Sequence, residues 1–169
     1  MTGRPRAVPT GRIRTTYYLP DLNDLNVWLA LSWAKHIHFE AAWPWFSQHE
    51  NDSLLFCRFT HLGLMRLLAT SAIMGEDLLT IGEAGKVYDR WLEDPRIKIR
   101  HEPSDVDAVL RAATRPFSRL SSPKALGDCY LMAMSQATDS TLVTFDRGLA
   151  SACRKARHPV TLLESPMEM

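Results

Sequence analysis

At 169 residues and 46% hydrophobic side chains, the chain supports one domain with a sizeable core, and no apolar run approaches the roughly 20 residues that cross a bilayer. A net charge of +1 excludes a strongly basic or acidic body. Cys57, Cys129 and Cys153 form no C-x-x-C pair, which argues against a disulfide framework or a cysteine zinc site and fits a reducing cytoplasm.

The charge is unevenly placed. Residues 1–20 carry Arg4, Arg6, Arg12 and Arg14 and no acid, while the remainder has 16 basic against 19 acidic side chains. Residues 1–16 therefore read as a basic, disordered arm, compatible with a nucleic-acid partner but equally with an inert leader or a start codon placed too far upstream. The arm has no apolar stretch of the kind a secretory signal needs. Residues 17–164 read as one domain and 165–169 as a short tail.

Strand and helix signals then alternate. TTYYLPD (15–21) is rich in β-formers, and LNVWLALSW (25–33) is apolar around its whole circumference, as a buried helix is. A second helix is predicted from Ile37 to Gln48, with Pro44 past its first turn. SLLFCRF (53–59) reads as the second strand, with Thr60 as cap of the helix behind it. Thr80 opens a helix whose apolar stripe is Ile81, Ala84, Val87, Tyr88, Trp91 and Leu92. RIKIR (96–100) alternates with period two and, with cationic polar positions, predicts a strand near an edge. Pro103 starts a helix through Arg115, and Ser122-Pro123 starts another with a cap and a first-position proline. TLVTF (141–145) is the fourth strand, DRGLASACRK a short helix and PVTLL (159–163) the fifth strand. Strands separated by helices imply an α/β domain with a parallel central sheet and helices on both faces.

Three aspartates stand out in this frame. Asp24 and Asp146 each follow a predicted strand and open a predicted helix, and Asp128 is the one formal charge between Lys124 and Asp139. Capping alone accounts for Asp24 and for Asp146 taken singly. Asp128, inside a helix among Leu126, Cys129, Leu131 and Met132, has no capping role. In parallel α/β sheets functional groups gather outside the carboxyl ends of the strands, where strand order reverses. Three carboxylates about 5 Å apart would repel by roughly 3 kcal/mol per pair at an effective dielectric of 20. A hard divalent cation, Mg²⁺ or Mn²⁺, relieves that repulsion and suits phosphodiester hydrolysis by water. No G-x-S-x-G motif or Cys–His pair offers a side-chain nucleophile. D-x-N-D-x-N is not an EF-hand, since Asn26 and Ser32 stand where glycine and glutamate are needed. His36-x-His38 has no further ligand in register.

The fragments resemble a PIN domain, and more narrowly the VapC-type toxins of bacterial toxin–antitoxin pairs, over Tyr17 to Leu163. Asp24-Leu25-Asn26 with its apolar helix is similar to the family's D-x-N opening. Asp128-Cys129-Tyr130-Leu131-Met132-Ala133 is similar to D-x-x-L-x-A, and Leu142-Val143-Thr144-Phe145-Asp146-Arg147 to L-V-T-x-D-R. HFEAAWPWF also resembles the second helix of one toxin subgroup. The resemblance implies a metal-dependent endoribonuclease with Asp24, Asp128 and Asp146 as ligands, cutting RNA to leave a 3′-hydroxyl, with a small antitoxin and a homodimer as partners. Asn26 and Thr144 are candidates to orient those carboxylates, and Arg66 and Arg147 to contact phosphate. Two departures remain. Gly63 stands where the family places a glutamate, so a single bound ion is expected, or an inactive binding module; a DNA nuclease of related fold is the third reading. The repeat Asp21-Leu22-Asn23-Asp24-Leu25-Asn26 leaves two candidate first acids, of which Asp24 keeps the spacing to the helix.

Overall fold

The computed structural model describes residues 19–165, so the arginine-bearing arm and the last four residues lie outside the described residues. Five short strands, β1 (Asp21–Asn23), β2 (Leu54–Phe56), β3 (Ile97–Ile99), β4 (Thr141–Thr144) and β5 (Val160–Leu162), form one sheet. Their order is β3-β2-β1-β4-β5, and every neighbouring pair is parallel. Between them run α1 (Leu25–Ser32), α2 (Phe39–Phe46), α3 (Arg58–Leu68), α4 (Ser71–Met74), α5 (Ile81–Leu92), α6 (Val106–Thr114), α7 (Pro123–Ala137) and α8 (Arg147–Lys155). RIKIR thus supplies an edge strand, as its cationic alternation predicts.

Strands this short hold because both faces are covered. Leu54, Phe56 and Val143 pack with Trp28, Leu64 and Tyr88 in a core on the α1, α3 and α5 side. The intervening Leu22, Leu55 and Leu142 point the other way, into a core with Val106, Leu131 and Leu149 from α6, α7 and α8. Trp28 stacks on Phe56 with ring centroids 3.6 Å apart, tying α1 to β2. Alternation by two within a continuously apolar strand is what a doubly covered parallel sheet requires.

Several boundaries differ from the sequence reading. The first strand is the D-L-N run itself rather than TTYYLPD, whose residues 15–18 lie outside the described residues. Pro20 has no N–H to donate; its carbonyl accepts from Thr141 N at 2.9 Å, and Asp21 N donates to the Ser53 carbonyl at 2.7 Å. Thr60 is not the cap of α3. The helix starts three residues earlier, at Arg58 after Cys57, and the Thr60 hydroxyl turns back to accept from Cys57 N (3.2 Å) and donate to Cys57 O (3.1 Å). Ile81 leaves the expected stripe of α5 and is 75% exposed. The helix expected from Pro103 begins at Val106, and α4 with the 3-10 turn Gly75–Asp77 fills a stretch with no clear periodicity. Ser122 caps α7 as predicted, and Thr80, read as opening α5, is its cap, each accepting the N–H of the third residue of its helix.

Candidate active site

Strand order reverses between β1 and β4. From β1 the chain steps outward to β2 and β3, then returns to add β4 and β5 on the other side of β1. The carboxyl ends of β1 and β4 therefore border the crevice where α/β proteins place their chemistry. Asp24 is the residue after β1 and N-cap of α1, while Asp146 follows β4 by two residues and caps α8.

One hydroxyl joins them. Thr144, fully buried, donates from Oγ1 to Asp24 Oδ2 at 2.6 Å and accepts from the Asp146 backbone N at 2.9 Å. Asn26 closes the other side: its Nδ2 donates to Thr144 Oγ1 at 3.2 Å, and its Oδ1 accepts from Phe145 N, also at 3.2 Å. Asp24 Oδ1 accepts from Leu25 N at 2.6 Å. Of the two residues singled out in the sequence as orienting candidates, Thr144 contacts the Asp24 carboxylate directly, while Asn26 touches Thr144 across a separation of 118 residues and contacts no carboxylate in its hydrogen bonds.

Asp128 enters from α7. Its Oδ2 accepts from Lys124 Nζ at 3.0 Å, and the same Nζ lies 2.6 Å from Asp146 Oδ2. The surroundings of Asp128 are less apolar than its sequence neighbours suggest: its side chain is 27% exposed, Lys124 partners it, and Leu126 points outward. Sequence reasoning missed Lys124, although its spacing of four from Asp128 on a helix was the available signal.

The electrostatics follow from this packing. Asp24 is 8% exposed, and burial pushes its carboxyl up to about 6; the hydrogen bonds from Thr144 and Leu25 oppose that, and the negative charges of Asp128 and Asp146 add to it. Asp146 would also be raised by burial, but Lys124 and the Leu149 N–H hold it below the ordinary carboxylate value. Asp146, then Asp128, draw the Lys124 ammonium above its usual range against partial burial. Cys153 is buried on α8; burial first, and then Asp128 and Asp24, push its thiol up to about 12, which disfavours the thiolate.

Other residues fall elsewhere. Asp21 starts β1, and its Oδ2 pairs with His49 Nε2 at 2.8 Å, roughly 10 Å along the strand from Asp24. Arg147 is exposed beside Asp146. Arg66 lies in the last turn of α3, roughly 12 Å along the helix from its start at the β2 end. Gly63 is buried against Leu25.

Among the described residues no three His, Cys, Asp or Glu side chains close on a single point as they stand. Asp128 and Asp146 close on an ammonium instead. The donor set nonetheless fits a hard divalent cation: all three acids offer carboxylate oxygen, two converge on one positive charge, and the third bears their repulsion.

A doubly wound sheet with acids at its switch point defines a class of α/β protein. The family described as PIN domain matches residues 22–155, and the chain belongs to it. Ribonuclease VapC41 of Mycobacterium tuberculosis (strain ATCC 25618 / H37Rv) is 35% identical over 131 residues, covering 74% of this chain and 88% of the relative. Ribonuclease VapC39 of the same strain is 27% identical over 133 residues, covering 78% and 91%. Among solved structures, Mycobacterium tuberculosis VapC20, a toxin that cleaves the sarcin–ricin loop, superimposes with a TM-score of 0.59 at 15% identity, covering 78% of this chain and 94% of that one. Neisseria gonorrhoeae FitAcB gives 0.57 at 20% identity, covering 83% and 95%. At those identities the two structures establish the fold alone.

Proposed function

We propose that the chain is a divalent-metal-dependent endoribonuclease, the toxin of a toxin–antitoxin pair, with Asp24, Asp128 and Asp146 as its acid centre. The observation that carries this reading is the linkage of the three through Thr144 and Lys124, within a chain 35% identical to a protein named as a ribonuclease. Mg²⁺ or Mn²⁺ held by these carboxylates would supply charge neutralisation and activation of water at neutral pH. The protein's part is positional. Thr144, itself held by Asn26, fixes the Asp24 carboxylate, α7 carries Asp128 to the same crevice, and the Leu149 N–H of α8 orients Asp146. Arg147, exposed at the start of α8, is our candidate for a phosphate contact.

A small antitoxin and a second copy of the chain are proposed as partners, on the resemblance to toxins of toxin–antitoxin pairs and because Leu62, Leu120 and Leu126 are more than half exposed. No helix of the described residues is long and apolar enough to cross a membrane.

Purified protein is to be incubated with total RNA in magnesium, then in EDTA. Cleavage that EDTA abolishes and Asp128→Asn removes supports the mechanism, whereas metal-independent cleavage defeats it. Gly63 favours a second reading, a binding module that has lost catalysis. Absence of site-specific Mn²⁺ binding at millimolar metal would select it. Competition between RNA and DNA oligonucleotides separates a ribonuclease from a DNA nuclease, since a 2′-hydroxyl contact is open to RNA alone.

A further inference from the structure

The acid pocket carries a cation of its own. Ser122 caps α7 and Pro123 opens it, so Lys124 leaves the first turn at a fixed distance from Asp128. A lysine there is unfavourable for the helix, whose amino-terminal end carries partial positive charge. Helix pairing with Asp128 explains one contact, at 3.0 Å. It does not explain the shorter one, 2.6 Å to Asp146 at the start of a different helix. The side chain is 65% exposed, so solvent reaches the lysine, which stays tethered to α7 while its ammonium sits on the two outer acids.

We propose that Lys124 is a built-in counter-cation of the acid pocket: it holds Asp128 and Asp146 together, and a divalent metal has to displace it. The proposal rests on the metal-dependent reading above. Its consequence is a threshold. The ion must compete for oxygens that already carry a partner, so the site binds metal more weakly than the same carboxylates would without the lysine. Lys124 is a positioning residue in this scheme, acting on the ligands rather than on the substrate.

Calorimetric titration of the full chain with MnCl₂ tests it in wild type, Lys124→Gln, Lys124→Arg and Arg147→Gln. Losing two exposed charge contacts should tighten Mn²⁺ binding about tenfold in Lys124→Gln. Lys124→Arg, which keeps the charge and the reach, should stay near wild type. Arg147→Gln removes a neighbouring positive charge that forms no ion pair among the described residues, and should change affinity by less than about twofold. Equal or weaker binding in Lys124→Gln, or equal tightening in Arg147→Gln, overturns the displacement. No Mn²⁺ binding in either wild type or Lys124→Gln would overturn this proposal and the metal reading together, whereas equal binding in both overturns the displacement alone.

Discussion

Leu25 fills the space that a side chain at Gly63 would need: a Cβ built on Gly63 would lie 2.8 Å from Leu25 Cδ2 and 3.1 Å from Cδ1. Leu25 directly follows Asp24 and packs against the α1-side core, so a side chain at Gly63, where the family resemblance places a fourth acid, meets the residue after the first acid. An acid placed there alone has to turn the Leu25 side chain aside. Gly63→Glu is expected to lose roughly 1–3 kcal/mol through overpacking, read by thermal denaturation, without tighter Mn²⁺ binding. Gly63→Glu combined with Leu25→Ala removes the collision, and calorimetry should then show stronger or additional Mn²⁺ binding. A single Gly63→Glu variant as stable as wild type would show that Leu25 yields freely.

Asp24 gives the protein a pH dependence of known sign. Its ordinary value of 3.8 in the unfolded chain becomes about 6 when folded, so between those values the folded protein holds more protons and stability falls as pH rises. Below the lower value the group is protonated in both states and opposes nothing; above the upper value its full cost, roughly 3 kcal/mol, is present. Chemical denaturation in EDTA between about pH 4.5 and 7.5 should show this decline in wild type and a flatter profile in Asp24→Asn. Parallel profiles would mean that the carboxylate titrates normally.

Asp21 and Asp24 are separable by the same logic. His49, raised above its ordinary value by its hydrogen bond to Asp21 against partial burial, contributes stability that is complete below the ordinary histidine value and lost as pH rises through the elevated one. Asp21→Asn should cost about 1 kcal/mol near pH 6 and less near pH 8.5, with Mn²⁺ affinity unchanged. Asp24→Asn should abolish that affinity. Loss of metal binding in Asp21→Asn would make Asp21 the ligand.

The sheet, its edge strand and the capped starts of α5 and α7 were legible because they depend on local chemistry: alternation, Thr80, and Ser122 before Pro123. The order and spacing of the three aspartates were legible as a family likeness. Within the described residues the first strand is Asp21–Asn23, made a strand by pairing rather than β-propensity, and three residues carry too little periodicity to announce it. Thr60 was misread because Cys57, an unusual N-cap, starts α3 one turn earlier. Lys124 reaching Asp146 depends on where α7 and β4 meet, which no local pattern records.

Thr144 is the residue on which the geometry of the acids most depends. It donates to Asp24, accepts from the backbone of Asp146 and from Asn26, and is fully buried, so no water replaces what it loses. Thr144→Val keeps the shape and deletes the oxygen, leaving a buried carboxylate and N–H short of partners at a cost of roughly 1–3 kcal/mol. Because the Thr144 hydrogen bond lowers the Asp24 value, its loss should raise that value further, and a carboxylate must be ionised to take a cation. The pH midpoint of Mn²⁺ binding should then move upward in Thr144→Val and stay in place in Thr144→Ser. A stability loss with an unmoved midpoint would make Thr144 a packing residue with no hold on Asp24.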